Sequence, residues 1–328
     1  MLDSKRKLIF LALLFAIPAS VLAQNSQMDA AKQDYEKGDY TKAIELLKAE
    51  AAKEPANGDL QLLLAKSYLE LNQYDAAVNS AEKAVSINPK SSVYHQLLGE
   101  AYGGKADHAS ALSAFSLARK TQKEFAAAVE LDEKNFDAAQ NLVEYDCTAP
   151  GVVNGGEDKA QPIIQKLLSL DAAEGHYAAG NCKAAKKDYA AADPEFTKAL
   201  ENKPKSAQRI FDIGDYFAER GQGEKLAQVA ALGEATAPGD PRANYYRAVS
   251  WILTGQKQAD AEKLLRAYLQ AAPVRSSYPS PSSAHYWIGR SLDAQKKTAE
   301  ARSEYELALK LNPKNKLAED AVKHPGGH

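Results

Sequence analysis

The chain has 328 residues, a formal net charge of −2 and no concentrated block of basic residues. Nucleic-acid binding needs Lys and Arg clustered on one face, so this charge distribution argues against it. The length would suit two globular domains, unless internal repeats organise the chain instead.

The first 23 residues predict an export leader. Basic residues at Lys5–Lys7 precede an apolar run over positions 8–22, and the small residues Val21 and Ala23 sit where signal peptidase cleaves. An uncleaved membrane anchor is the alternative, but spanning a bilayer takes about 20 apolar residues. We therefore expect a signal peptide, Met1–Ala23, whose removal changes the net charge from −2 to −4. The remaining chain should be exported, periplasmic or secreted, and should not span a membrane.

A proline recurs at a nearly fixed interval through the rest of the chain. Pro55 and Pro89 are 34 residues apart, as are Pro204 and Pro238, while Pro273 and Pro313 follow at 35 and 40. Apolar residues before each proline follow the i, i+3, i+4, i+7 pattern of amphipathic helices, interrupted once by a turn. A period of this length is typical of repeat arrays, in which each unit buries its apolar face against its neighbours.

The repeats resemble the tetratricopeptide repeat, a 34-residue helix–turn–helix unit. Two copies carry the resemblance most fully, through Gly180, Tyr189, Ala192, Phe196 and Ala199, and through Ile288, Gly289, Leu292, Ala301, Tyr305 and Ala308. The resemblance implies an all-α, right-handed solenoid over residues 24–323, with about eight hairpins and a capping helix at Lys316–Lys323. It further implies that the chain binds protein partners, has no catalytic residues and needs no cofactor.

The third copy is longer than the others. The distance from Pro89 to the next equivalent position, Glu133, is 44 residues, so residues 104–133 depart from the pattern. Phe115 and Phe125 both fit the second-helix aromatic position. We expect one long second helix, from about 108 to 131, which is either a docking element for a partner or a packing variant.

The second irregularity is a glycine-rich loop at residues 148–157. Pro150, Gly151, Gly155 and Gly156 are turn signals, but the segment follows a helix and lacks the P-loop pattern. The acidic residues that follow, Glu157 and Asp158, suit the start of a helix. The Ala-Pro-Gly, Gly-Gly and Lys-Ala order, with Gly175-His176 beyond it, resembles an element of exported bacterial tetratricopeptide proteins. His176 could contact this loop or pack against a neighbouring helix.

The two cysteines, Cys147 and Cys182, lie near the ends of first helices in adjacent repeats. Export would place them in an oxidising compartment, where neighbouring thiols form disulfides. The repeat geometry allows a bridge, and the alternative is two separate buried thiols.

The C-terminal repeats predict a binding groove on the concave face. In the tetratricopeptide pattern, the fifth residue of each first helix points into that groove; the aromatic residues at this position are Tyr177, Phe211, Tyr246 and Tyr286. One turn further on lie the polar residues Asn181, Asp215, Ser250 and Arg290. An aromatic column with polar neighbours suits a bound peptide or helix. The alternative is that some of these rings pack between helices.

Two further segments lie outside the regular repeats. The connection between Pro273 and His285 contains two more prolines and could be a hinge, a rim contact or, as we expect, a passive linker. The terminal residues 324–328 are glycine-rich, and a flexible tail is expected there rather than a metal site formed by His324 and His328.

Together these patterns predict a non-catalytic adaptor of the cell envelope that binds a peptide or helix in its concave groove. A binder of a small-molecule or glycan ligand is the alternative, since exposed aromatic rings would stack on sugars. The third possibility is an enzyme built on the glycine-rich loop.

Overall fold

A computed structural model describes residues 19–324, with side chains from residue 27 onward. Within this range, all regular structure is helical: seventeen α-helices and one 3₁₀ turn. This confirms the all-α prediction. The predicted leader lies outside the described residues except for positions 19–23, which begin the first helix. Of the predicted tail, only His324 is described.

The helices pair into eight hairpins followed by one final helix. They are α1 (Ala19–Glu36), α2 (Tyr40–Lys53), α3 (Gly58–Glu70), α4 (Tyr74–Ile87), α5 (Ser92–Ala106), α6 (Ala111–Leu131), α7 (Phe136–Thr148), α8 (Glu157–Leu170), α9 (Ala172–Ala185), α10 (Tyr189–Glu201), α11 (Ala207–Glu219), α12 (Gly223–Thr236), α13 (Pro241–Leu253), α14 (Gln258–Ala271), α15 (Pro281–Ala294), α16 (Thr298–Leu311) and α17 (Lys316–Lys323). Odd-numbered helices up to α15 are the first helices of hairpins, and even-numbered helices are the second.

Local sequence explains where these helices begin and end. From α3 onward, each first helix and α17 starts after a side chain that accepts backbone N–H groups of the first turn, such as Asn57 before α3 and Asp171 before α9. The turns inside hairpins use residues with positive φ, such as Gly38, Asn72 and Gly221. Glycine and asparagine tolerate that conformation, so the turns are encoded locally.

Small and large residues alternate in the packing between helices. Second-helix alanines such as Ala77, Ala81 and Ala84 are fully buried, and they let large first-helix side chains such as Leu64 approach. First helices of successive hairpins contact one another along most of the solenoid, whereas second helices do so mainly at α10 and α12. The first helices therefore line the inner, concave face.

The extra ten residues of the third hairpin enter at the start of α6. Phe125 is 6% exposed, and its ring packs at Gly99, where an added Cβ would lie 2.5 Å from it. Phe196 and Tyr305 face Gly180 and Gly289 in the same way. Phe125 is thus the repeat aromatic, while Phe115 lies on the additional turns and is 47% exposed.

A repeated histidine–glutamate pair locates the same insertion. His176 Nδ1 lies 2.7 Å from the Glu195 carboxylate and His285 Nδ1 lies 2.6 Å from that of Glu304, each pair 19 residues apart. The corresponding third-hairpin pair joins His95 to Glu124, which are 29 residues apart. The insertion therefore lies between them, and His176 pairs with the second helix of its own hairpin.

Candidate functional site

The prediction that aromatic rings form an exposed surface in the concave groove is wrong. Tyr177, Phe211, Tyr246 and Tyr286 are only 8, 1, 0 and 4% exposed, respectively. The rings of Phe211 and Tyr246 stack on each other, 5.6 Å apart. The fifth position of these first helices points toward the next helix rather than into open space, because neighbouring first helices are in contact. The aromatic column is part of the core.

Two arginines cover this column from the following repeats. The Arg209 guanidinium lies 4.5 Å from the Tyr177 ring centroid, and that of Arg242 lies 4.4 Å from the Phe211 ring centroid. Both arginines are largely buried. Cation–π contacts of this kind are stabilising when water is excluded.

Arg209 also joins three first helices through ion pairs. Its guanidinium lies 3.1 Å from Glu174 on α9 and 2.7 Å from Asp137 on α7. Gln140 on α7 donates to the same Glu174 side chain at 2.9 Å. The sequence analysis missed this network. Its signal is that Glu174 and Asp137 precede Arg209 by about one and two repeat lengths.

The polar positions predicted next to the aromatic column have different environments. Asp215 is exposed and accepts a 2.7 Å hydrogen bond from the Tyr246 hydroxyl, while Arg290 donates to the Tyr286 hydroxyl at 2.9 Å. Asn181 is half-buried beside Tyr177. Ser250 is buried and donates to the backbone of Gly223. Asp215 alone among these four is exposed.

Four carboxylates on three first helices give the concave face an acidic character. They are Glu100 on α5, Glu144 on α7, and Asp212 and Asp215 on α11. Desolvation by the surrounding helices raises the pKa of all four, that of Asp215 to about 6. Repulsion contributes as well: Asp212 raises the pKa of both Glu144 and Asp215. As anions, these groups are held in an unfavourable field that a cationic ligand would relieve.

The glycine-rich loop packs onto α7. The Tyr145 hydroxyl donates to Val153 O at 2.7 Å, and the Gly156 N–H donates to Asp146 O at 2.8 Å. A Cβ at Gly155 would lie 2.1 Å from Ala149 O, so the glycine allows two backbone segments to touch. Gly156 has a φ of +150°, while Pro150 and Gly151 form the exposed outer turn. These glycines serve the packing of the loop.

Cys147 on α7 and Cys182 on α9 are joined by a disulfide, with their Cα atoms 5.4 Å apart. Cys182 lies in a small apolar cluster with Val143, Ile164 and Leu167. The bridge therefore links the two first helices that flank the glycine-rich loop.

The N-terminal end of α6 carries an exposed apolar and basic patch. Leu112 is 90% exposed and lies near Phe115, with Arg119, Lys120 and Lys123 on the following turns. The Arg119 guanidinium donates to Val152 O at 3.0 Å, which ties this patch to the glycine-rich loop.

The connection expected to be a passive linker makes contacts across the solenoid. Residues 274–278, between α14 and α15, reach the first hairpin and the end of α3; we call them the crossing segment. Ser276 donates to the Glu70 carboxylate through its backbone N–H at 3.1 Å and its hydroxyl at 3.0 Å. Arg275 forms an ion pair with Glu36. A cavity of 640 Å³ adjoins these contacts.

The arrangement of ligating and apolar side chains bears on metals and membranes. Between residues 19 and 324, no group of three or more His, Cys, Asp or Glu side chains is arranged to hold a metal ion. Over the same stretch, no helix combines the length and apolar character needed to cross a bilayer.

The structure thus defines an α-helical solenoid whose hairpins present an inner face to potential ligands. Sequence models of the tetratricopeptide repeat match residues 34–101, 173–206 and 282–315. The chain therefore contains tetratricopeptide repeats, a unit that binds protein partners and serves generally as a non-catalytic scaffold.

Comparison with known proteins gives partial likenesses. The chain is 34% identical over 82 residues to the rhomboid protease GluP of Bacillus subtilis; the match covers 25% of this chain and 16% of GluP. Among solved structures, a tetratricopeptide protein of Thermus thermophilus matches 60% of this chain and 97% of its own, with 19% identity and a TM-score of 0.49. A tetratricopeptide protein from Parabacteroides merdae matches 92% and 98%, with 14% identity and a TM-score of 0.41.

Proposed function

We propose that this chain is a non-catalytic adaptor whose concave face binds an extended cationic segment of a partner protein. The observation that carries the proposal is the set of four carboxylates on α5, α7 and α11, all with raised pKa values. Lys or Arg side chains placed among them would offset both the desolvation and the mutual repulsion.

The expected binding is electrostatic and therefore weak for each contact. A partly exposed ion pair contributes about 0.2–1 kcal/mol, so several cations on one segment are needed for useful affinity. Such contacts are screened when the Debye length falls from about 10 Å at 0.1 M salt to about 3 Å at 1 M. Affinity should therefore fall steeply with salt.

Fluorescence anisotropy with labelled decalysine tests the proposal, with decaglutamate as the peptide of opposite charge. The double variant Asp212→Asn/Asp215→Asn should bind decalysine about tenfold more weakly, as expected for the loss of about 1.4 kcal/mol. A matched control, Asp260→Asn/Glu306→Gln, removes two exposed charges from the second helices α14 and α16. An equal loss in the control, or equal binding of decaglutamate, would show that the concave face is not the site.

The two alternatives lose the features that suggested them. A glycan ligand would require exposed rings, and the four predicted rings are covered by neighbouring helices and arginines. An enzyme built on the glycine-rich loop would require free loop groups, and Gly155 and Gly156 are used in packing against α7. The adaptor function is therefore the better-supported proposal.

We also propose that the adaptor works outside the cytoplasm, in the cell envelope. The disulfide between Cys147 and Cys182 supports this location, since such bonds persist in oxidising compartments, and so does the leader pattern of residues 1–23. Fractionated cells can be treated with a thiol-reactive polyethylene glycol. Chain from the envelope fraction should gain no mass without a reductant; a shift of two labels there would contradict the proposal.

A further inference from the structure

We infer that the surface formed by Tyr35, Glu36, Tyr40 and Glu70 is a second docking surface, suited to an arginine-bearing segment, and that the crossing segment is its intramolecular occupant. The inference rests on the proposed adaptor function and names the partner chemistry at the N-terminal end of the solenoid. Its starting point is the unusual sequence distance, since these contacts join residues 206 to 239 positions apart.

The crossing segment is held as a bound peptide would be, through both backbone and side chain. Val274 O lies 3.5 Å from the Tyr40 hydroxyl, which donates to it. The Glu70 carboxylate accepts two hydrogen bonds from Ser276. The Arg275 guanidinium pairs with Glu36 and lies 5.1 Å from the Tyr35 ring centroid. Ion pairing combined with ring contact is a recognition mode specific to arginine.

The first hairpin is shaped to receive a backbone at this point. Gly38 has a φ of +83°, and a Cβ there would lie 2.8 Å from Val274 O. Any side chain at position 38 would therefore push the crossing segment away. The turn between α1 and α2 provides the close approach that a docked main chain needs.

The intramolecular occupant fits incompletely, so a partner can displace it. The Arg275 Nε–H is buried without a hydrogen-bond partner. Glu36 is 65% exposed, and an ion pair so open to water contributes about 1 kcal/mol or less. Pro273 and Pro279 flank the segment and restrict its conformations, which lowers the entropy lost on docking.

The adjoining cavity gives a longer ligand somewhere to continue. Its 640 Å³ are lined by the crossing segment, by the first hairpin, and by side chains of α3 and α5 that include Leu69, Leu97 and Glu100. Glu100 also belongs to the acidic concave face. A segment with arginine at the N-terminal surface could therefore extend into the acidic face without leaving the protein.

The experiment uses the chain's own segment as the probe. A fluorescein-labelled peptide with the sequence of residues 272–279, Ala-Pro-Val-Arg-Ser-Ser-Tyr-Pro, is titrated against the full chain and against the Arg275→Ala/Ser276→Ala variant. The variant should bind the peptide about tenfold more tightly, because an internal occupant present for about 90% of the time reduces the apparent affinity by that factor. A peptide with alanine in place of arginine should bind at least tenfold more weakly to the variant.

A matched control comes from a second Arg-Ser pair. Arg302→Ala/Ser303→Ala changes the same residue types on the exposed face of α16 and should behave as the unmodified chain. Adding Glu36→Gln and Glu70→Gln to the Arg275→Ala/Ser276→Ala variant should abolish its gain in affinity. Circular dichroism on each variant verifies that it is folded.

The inference is overturned if the peptide binds the Arg275→Ala/Ser276→Ala variant no better than the unmodified chain, or if the Glu36→Gln and Glu70→Gln changes have no effect. Decalysine binding that remains sensitive to Asp212 and Asp215 in that case would leave the proposed adaptor function standing. Loss of that sensitivity with retained peptide binding would instead remove the concave-face proposal and keep the N-terminal surface.

Discussion

Gly99 and Gly103 lie one helical turn apart on α5, and their surroundings differ. An added Cβ at Gly99 would lie 2.5 Å from the ring of Phe125, whereas at Gly103 the nearest neighbour would be the Thr121 methyl group at 3.6 Å. The first position is a contact between helices, and the second has room for a methyl group. The same residue type therefore has different roles at two neighbouring sites.

Gly99→Ala should lower the free energy of unfolding by about 1–3 kcal/mol, because the methyl group displaces Phe125. Gly103→Ala should leave it unchanged or raise it by up to about 1 kcal/mol, since alanine favours the helix. Urea unfolding followed by circular dichroism measures both. Equal effects at the two positions would contradict the close packing of α5 on α6.

Asp146 is another residue whose environment determines its effect. It is 2% exposed, and its Oδ1 is buried without a hydrogen-bond partner. Desolvation raises its pKa to about 6, partly offset by Lys159 and reinforced by Asp158. Its pKa in the unfolded chain is about 3.9, so the folded chain binds the proton more tightly. Stability from this group should therefore increase as the pH falls from 7 toward 4.

Asp146→Asn should stabilise the chain by about 1–2 kcal/mol at pH 8, where the native carboxylate is charged, and by less at pH 4.5. Urea unfolding at the two pH values gives the comparison. Asp75→Asn, at a side chain that is 84% exposed, serves as the control and should change stability little at either pH. An Asp146→Asn effect that is independent of pH would mean that the carboxyl is not titrating as described.

At the scale of elements, α6 shows how an insertion is accommodated in a repeat. The additional residues lengthen the helix at its start and leave the packed part from Leu117 to Ala128 in the repeat position. The hairpin therefore keeps its place in the solenoid while exposing Leu112 and Phe115. Helical continuity favours this arrangement, since the extra turns satisfy their own backbone hydrogen bonds.

Phe115→Ala and Phe125→Ala compare the two halves of α6 directly. Phe125→Ala should cost about 3–5 kcal/mol because it leaves a cavity against Gly99. Phe115→Ala should cost less than about 1 kcal/mol, since its ring is half exposed. Thermal and urea unfolding of the two variants provide the test; a larger loss for Phe115→Ala would reverse the assignment of the repeat aromatic.

At the scale of the whole molecule, the apolar core is divided into three clusters. The first spans the N-terminal three hairpins, and the largest extends from Tyr177 to Ala321. Between them, α7, α8 and α9 share a small cluster. In a solenoid each unit is stabilised by its neighbours alone, so the region with the smallest core is the one that most needs a covalent link. The disulfide lies in this region.

Reduction of the Cys147–Cys182 bond should destabilise the middle of the solenoid by about 3 kcal/mol, given the 35-residue separation of the two cysteines. Hydrogen exchange measured by mass spectrometry should show faster exchange in residues 136–185 after reduction, with smaller changes in the outer hairpins. The Cys147→Ser/Cys182→Ser variant should match the reduced chain. Uniform acceleration along the whole chain would instead indicate a single cooperative unit.

Repeat period, helix pairing and the all-α class were evident from the sequence, because proline spacing and apolar periodicity are local properties of the chain. The sequence also placed the irregular segments correctly at the third hairpin and the glycine-rich loop. It left Phe115 and Phe125 equivalent, since both occupy acceptable helical positions and only packing against Gly99 distinguishes them.

What only the tertiary structure decided are the features that depend on neighbouring repeats. The groove-facing aromatic residues are buried because first helices of adjacent hairpins touch and because Arg209 and Arg242 cover the rings. The acidic face gathers residues from α5, α7 and α11, and the crossing segment meets a hairpin more than 200 residues earlier. A periodic sequence specifies each unit and its contact with the next, whereas the curvature of the stack determines which distant units meet.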